Sequence, residues 1–203
     1  MQDFFGFFAS VIIISASGVM SPGPLFAATA SSAMRLGRLA GLQIAAGHTV
    51  VELPLVVMIG LGVLSLESLP EFRVIASVLG ALSIFAFVGF QLRSVFKSTI
   101  TKDFKRGAFL TGIFLTGLNP FFLIWWFTIG IKLISDALLL WSFWGVLIMF
   151  FMHIWMDYAW LFFVSVLSSK GAKFLSNNRY KIVMVAINAA LIYFGILFII
   201  SIV

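Results

Sequence analysis

The chain has 203 residues, of which 62% are hydrophobic and 10% charged, and its mean hydropathy is +1.16. Soluble domains run near 45–50% apolar and about 25% charged, so this composition excludes a soluble globular protein and indicates an integral membrane protein. The net charge of +6 then marks topology rather than nucleic-acid affinity, and the lack of cysteine excludes disulfides and thiolate metal or redox chemistry.

The chain starts Met1-Gln2-Asp3 and runs straight into an apolar stretch, without the positive n-region and cleavage site of a signal peptide. A helix needs about 20 apolar residues to cross the roughly 30 Å hydrocarbon core. Six such stretches are predicted, at about 4–32, 39–64, 74–96, 108–131, 138–167 and 182–203. Their connections are short, so residues 1–203 read as one all-α transmembrane domain with no soluble module.

Span 1 contains Ser21-Pro22-Gly23-Pro24. Proline removes a backbone donor and clashes with the carbonyl four residues back, so this span is predicted to break there. Irregular backbone at membrane depth is tolerated only against protein or a water-filled cavity, which makes such a break a candidate substrate site; a plain packing kink is the alternative. Span 2 carries His48 and Glu52, then Pro54. Gly37, Gly41, Gly47, Gly60 and Gly62 suit close helix packing. Span 4 contains Asn119-Pro120, a second predicted break, and span 5 carries His153 and Asp157. Asn188 in span 6 is an amide suited to interhelical bonding or to facing a cavity. The tryptophans at 125, 126, 141, 144, 155 and 160 read in part as an interfacial belt, with Trp155 and Trp160 as alternative liners of a substrate path.

The basic residues fit six crossings. Arg35 and Arg38 follow span 1; Arg93 in the last turn of span 3 and Lys97, Lys102, Lys105 and Arg106 after it lie at the junction with span 4; Lys170, Lys173, Arg179 and Lys181 follow span 5. Eleven of the thirteen Lys/Arg thus fall on one side, which the positive-inside rule makes cytoplasmic, with both termini outside. Only Arg73 and Lys132 lie opposite, beside Glu67, Glu71 and Asp136. Three spans per half imply two inverted-topology repeats, about 1–97 and 104–203, a transporter architecture with its site near the midplane.

Both histidines stand four residues before a carboxylate, so each pair shares a helix face. A carboxylate at the bilayer centre costs roughly 2.5–3.5 kcal/mol on insertion scales and is a functional candidate by default. An ion pair that merely holds helices together is the alternative, but membrane hydrogen bonds average well under about 2 kcal/mol, too little to offset that burial. A carboxylate alternating between wet and dry surroundings can load and release a proton, and histidine can relay it. If the four residues converge, they also make a plausible divalent-metal site. An intramembrane enzyme using a His–carboxylate pair as base and orienter lacks a nucleophile motif, and matched halves suit alternating access better, so no enzymatic activity and no cofactor are expected.

Ser21-Pro22-Gly23-Pro24, then 35–42 (RLGRLAGL), Gly47 and Gly60-Leu61-Gly62, resembles the lysine-exporter (LysE/RhtB-type) translocator family, as does Leu118-Asn119-Pro120 opening the second half. The resemblance is most specific over roughly 18–64 and 107–126. It implies export of amino acids or related small metabolites from the cytoplasm across the plasma membrane, driven by protons or another cation. Ser21, Pro22, Gly23, Pro24, Asn119 and Pro120 would flank the substrate, with His48, Glu52, His153 and Asp157 coupling the ion. The unusually polar 48–54 (HTVVELP) departs from the commoner pattern and keeps metal export as an alternative. Expected partners are an amino acid-like substrate, the coupling ion and the lipid bilayer, with homo-oligomerisation left open.

Overall fold

In the computed structural model the described residues are 4–21, 23–62, 104–173 and 177–200, and, between 62 and 104, residues 78, 81–82, 84–86, 88–89 and 92–93. They are helical almost throughout: α1 (Phe4–Val19), α2 (Pro24–Leu36), α3 (Ala40–Gly60), α4 (Phe104–Gly117), α5 (Pro120–Trp125), a π-helical turn (Trp126–Gly130), α6 (Ile131–Lys173) and α7 (Asn177–Ile200). The described residues of 78–93 are also helical. The ends of the predicted third span, the charges Glu67, Glu71, Arg73, Lys97 and Lys102, and Pro22 lie outside the described residues. Among the described residues, α3 and α6 are each long and apolar enough to cross a membrane, and α1 with α2 forms a third candidate span bent by 70°.

The predicted break in span 1 is present. α1 ends at Val19, and α2 restarts with Gly23 in extended backbone as its N-cap and Pro24 in its first turn, where a missing N–H costs nothing. Span 4 breaks in the same way. Asn119 caps α5 by accepting a hydrogen bond from the Phe121 amide at 3.0 Å, and Pro120 follows it. α2 stops at Gly37, whose φ of 86° and ψ of −175° lie in a region that only glycine enters readily.

The boundary between spans 4 and 5 differs from the sequence expectation. Residues 132–137 read as a connection, yet the helix runs on from Ile131, and the chain turns at Trp141 (φ −141°, ψ 25°) and Ser142 (φ 52°, ψ −150°). Lys132 and Asp136 are the outer face of an amphipathic helix, paired at 2.7 Å, while Leu133, Ile134 and Ala137 are buried on the inner face. Polarity at i, i+4 is one side of a helix here rather than a loop.

α3 is the central element and packs on both α4 and α6; α2 lies against α6 and α7. The buried positions of α3 are Ala40, Gly41, Ile44, Ala45, Gly47, His48, Glu52, Val56 and Ile59; those at 41, 44, 45, 48, 52, 56 and 59 keep a three-to-four spacing that defines one helix face, and Gly47 lies beside it. The contact with α4 is backbone to backbone: a Cβ at Gly47 would collide with the Phe109 carbonyl, and one at Gly112 with the Ile44 carbonyl. Gly41 meets the Leu161 carbonyl of α6 in the same manner. The expected packing role is therefore present at Gly41 and Gly47, and at Gly60 against the Val146 side chain, but not at Gly37 and Gly62, which have nothing within 4 Å and serve at helix ends with positive φ.

Candidate functional site

The inward stripe of α3 presents His48 and Glu52 to α6, whose own buried face includes Met149, Phe150, His153, Ile154, Asp157 and Leu161. The two His-x-x-x-acid pairs thereby meet. His48 Nε2 lies 3.2 Å from Glu52 Oε1 and 3.6 Å from Asp157 Oδ1, and His153 Nε2 lies 3.2 Å from both Glu52 Oε1 and Asp157 Oδ2. Each imidazole thus faces the carboxylate of its own helix and that of the other. All four are buried, Glu52 to 1% exposure and Asp157 to 6%.

Two further side chains hold the cluster. His48 Nδ1 hydrogen-bonds the Thr116 hydroxyl of α4 at 2.8 Å, which fixes the ring with Nε2 toward the carboxylates. The Trp126 indole donates to Glu52 Oε1 at 3.1 Å. Trp126 begins the π turn, and π turns commonly mark functional positions. The turn closes at Gly130, where a Cβ would strike the Trp126 ring. Glu52 Oε2 and Asp157 Oδ2 are buried and lack an aligned hydrogen bond, so the carboxylates keep acceptor capacity. Trp126→Phe should lower stability by about 2 kcal/mol, the scale of a hydrogen bond to a buried charge. Denaturant unfolding in micelles measures this; parent-like stability would show that the imidazoles alone hold Glu52.

The four residues open on a cavity of about 350 Å³, within the about 300–1,000 Å³ typical of ligand pockets. Both helix breaks contribute to its wall: Ser21, Gly23 and Pro24 from the first and Asn119 from the second. Pro120 opens α5 immediately behind Asn119. Thus Ser21, Gly23, Pro24, His48, Glu52, Asn119, His153 and Asp157 meet at one place, whereas Pro22 lies outside the described residues and Pro120 is placed only as the first residue of α5.

Sequence reasoning missed most of the wall. Trp126 is fully buried and Trp125 stacks on His153 at 6.1 Å, so this pair belongs to the site and not to an interfacial belt. Trp160 lines the cavity, whereas Trp144 and Trp155 are exposed. Thr116 had no distinguishing signal. The tryptophans had one, their sequence position six and seven residues after the Asn119 break. Asn188 is not a cavity residue: its amide donates to the Met184 carbonyl one turn back, at 2.7 Å.

A family model for LysE type translocators matches residues 16–202. No curated protein and no solved structure matches the chain.

Proposed function

Because the chain belongs to the LysE type translocator family, we propose that it is a secondary transporter exporting amino acids or related small metabolites from the cytoplasm by antiport with protons or another cation. The observation that carries this reading is the convergence of His48, Glu52, His153 and Asp157 in one cavity bounded by both helix breaks. Glu52 and Asp157 carry the coupling proton, and the imidazoles between them pass it from one carboxylate to the other. Ser21, Pro22, Gly23, Pro24, Asn119 and Pro120 form the substrate's side of the site.

In this reading the chain crosses the plasma membrane six times as two inverted three-helix repeats, with both termini outside the cytoplasm. Eleven of thirteen Lys/Arg on one side of the predicted spans support that orientation. The repeat is supported by matching anatomy, since α2 and α5 both begin at a proline after a break, and α3 and α6 each supply one pair. A counterflow assay tests the reading: purified protein in liposomes preloaded with members of an amino acid and amine panel should accumulate the matching labelled solute. Failure of every solute to exchange would defeat it.

A second reading has one observation in its favour. Ligand atoms of His48, Glu52 and Asp157 all lie within 4.8 Å of one another, and imidazole with carboxylate suits Zn²⁺ or Mn²⁺, here as the exported substrate. Saturable calorimetric binding of either ion, lost in His48→Ala, is the expected result under metal export. Absence of binding at millimolar ion removes that alternative.

A further inference from the structure

The wall of the cavity has a pronounced chemical bias. Six aromatic rings line it: Phe26, Phe121, Phe122, Trp125, Trp126 and Trp160. Some are fixed by contacts with one another or with the histidines. Phe26 and Trp160 stack at 6.3 Å, and Phe122 meets His48 edge to face at 5.3 Å. Against these rings stand two carboxylates, and no Lys or Arg is among the described residues that line the space. The imidazoles are committed to the cluster: both turn Nε2 toward Glu52 and Asp157, and His48 Nδ1 is taken by Thr116, which leaves His153 Nδ1 as the one imidazole nitrogen without a hydrogen bond or a carboxylate partner among the described residues. The carboxylates, by contrast, retain buried oxygens without an aligned hydrogen bond, Glu52 Oε2 and Asp157 Oδ2.

An ammonium group completes both halves of this arrangement. It supplies donors for Glu52 Oε2, which has none among the described residues, and for Asp157 Oδ2, which has only the His153 imidazole at 3.2 Å, and aromatic faces attract it through their quadrupoles. A substrate carboxylate finds the imidazole Nε2 atoms already turned to Glu52 and Asp157 and stands beside two like charges, which disfavour it. We infer that the cavity selects organic ammonium ions with an aromatic or apolar body, held by Glu52 and Asp157, over the corresponding zwitterion or carboxylate. This rests on reading the cavity as the transport site, and it links binding to coupling, since a proton and an ammonium ion compete for the same two carboxylates.

Three compounds with one shared body separate the possibilities: 2-phenylethylamine (ammonium only), phenylalanine (both charges) and 3-phenylpropionate (carboxylate only). They are titrated into the full-length protein in detergent by calorimetry. 2-Phenylethylamine should bind at least about tenfold tighter than phenylalanine, and 3-phenylpropionate should give no saturable binding. Glu52→Gln should weaken 2-phenylethylamine about tenfold or more. Trp160→Leu, which keeps an apolar side chain but removes the π face, should weaken it about three- to tenfold and serves if the glutamine variant does not fold. Phenylalanine binding as tightly as the amine, or no binding of any of the three, overturns the inference. The same compounds in the counterflow assay keep the two readings apart. Exchange of an amino acid with no binding of the amine sinks the ammonium preference and leaves a transporter. Tight amine binding with no counterflow of any solute sinks the transporter and leaves the ammonium site.

Discussion

Glu52→Gln is expected to reduce gradient-driven flux to the level of empty liposomes, a fall of at least about 100-fold. Glutamine keeps the shape of the side chain and an oxygen for the Trp126 indole, which donates at 3.1 Å in the parent. What it removes is the charge that faces two imidazoles at 3.2 Å. Glutamine has no group that ionises near neutral pH, so the carrier step is lost outright; a 100-fold fall corresponds to about 2.7 kcal/mol on the limiting step, separate from the about 3–5 kcal/mol of stability that breaking a buried pair can cost. Asp157→Asn should behave in the same way, because Asp157 faces the same two imidazoles from the opposite helix, at 3.6 and 3.2 Å. The readout is uptake of a counterflow substrate into liposomes carrying an imposed pH gradient. Parent-like flux in either variant would remove proton carriage from that residue. A purely structural role for the cluster would instead show as loss of folded protein, so the elution profile of each variant is recorded beside its flux.

Gly112→Ala is expected to be among the most damaging single methyl additions at the described residues. Its Cβ would be driven into the Ile44 carbonyl, with the His48 amide 3.0 Å away. These are backbone atoms of α3 and cannot swing aside as a side-chain tip would. The helices must separate, and separation moves His48, whose ring is held to α4 through Thr116 at 2.8 Å. Overpacking typically costs about 1–3 kcal/mol and occasionally more; with rigid backbone on both sides the upper end applies, about 3 kcal/mol. Gly47→Ala should match it, since its Cβ meets the Phe109 carbonyl on the reciprocal side. Gly171→Ala is the control, because nothing lies near that position. Thermal unfolding in micelles ranks the three, and a Gly112 variant as stable as the Gly171 variant would contradict the close approach.

Much of the site was legible before the fold because it rests on local chemistry. Prolines at 24 and 120, each directly after a Gly or Asn suited to capping, favour helix starts, and a His four residues before an acid shares its face in any helix. The cost of a buried carboxylate pointed to Glu52 and Asp157 without reference to packing. Thr116 and Trp126 were illegible because they join the cluster only through the crossing of α3 with α4 and the π turn after α5. Neither the crossing nor the turn has a periodic signature. The polar pair Lys132 and Asp136 misled for a different reason: charge within an apolar chain suggests a loop, and the apolar inner face at Leu133, Ile134 and Ala137 that restores the helix is indistinguishable from more membrane span.

The aromatic wall has an experimental consequence. Three of the chain's six tryptophans, at 125, 126 and 160, border the cavity, and one of them stacks on His153. Half of the indole rings of the unlabelled protein therefore lie within contact distance of whatever enters. Occupancy of the cavity is readable by eye of the fluorimeter alone, with no dye attached and no cysteine introduced, and Trp160→Leu assigns the signal to its source.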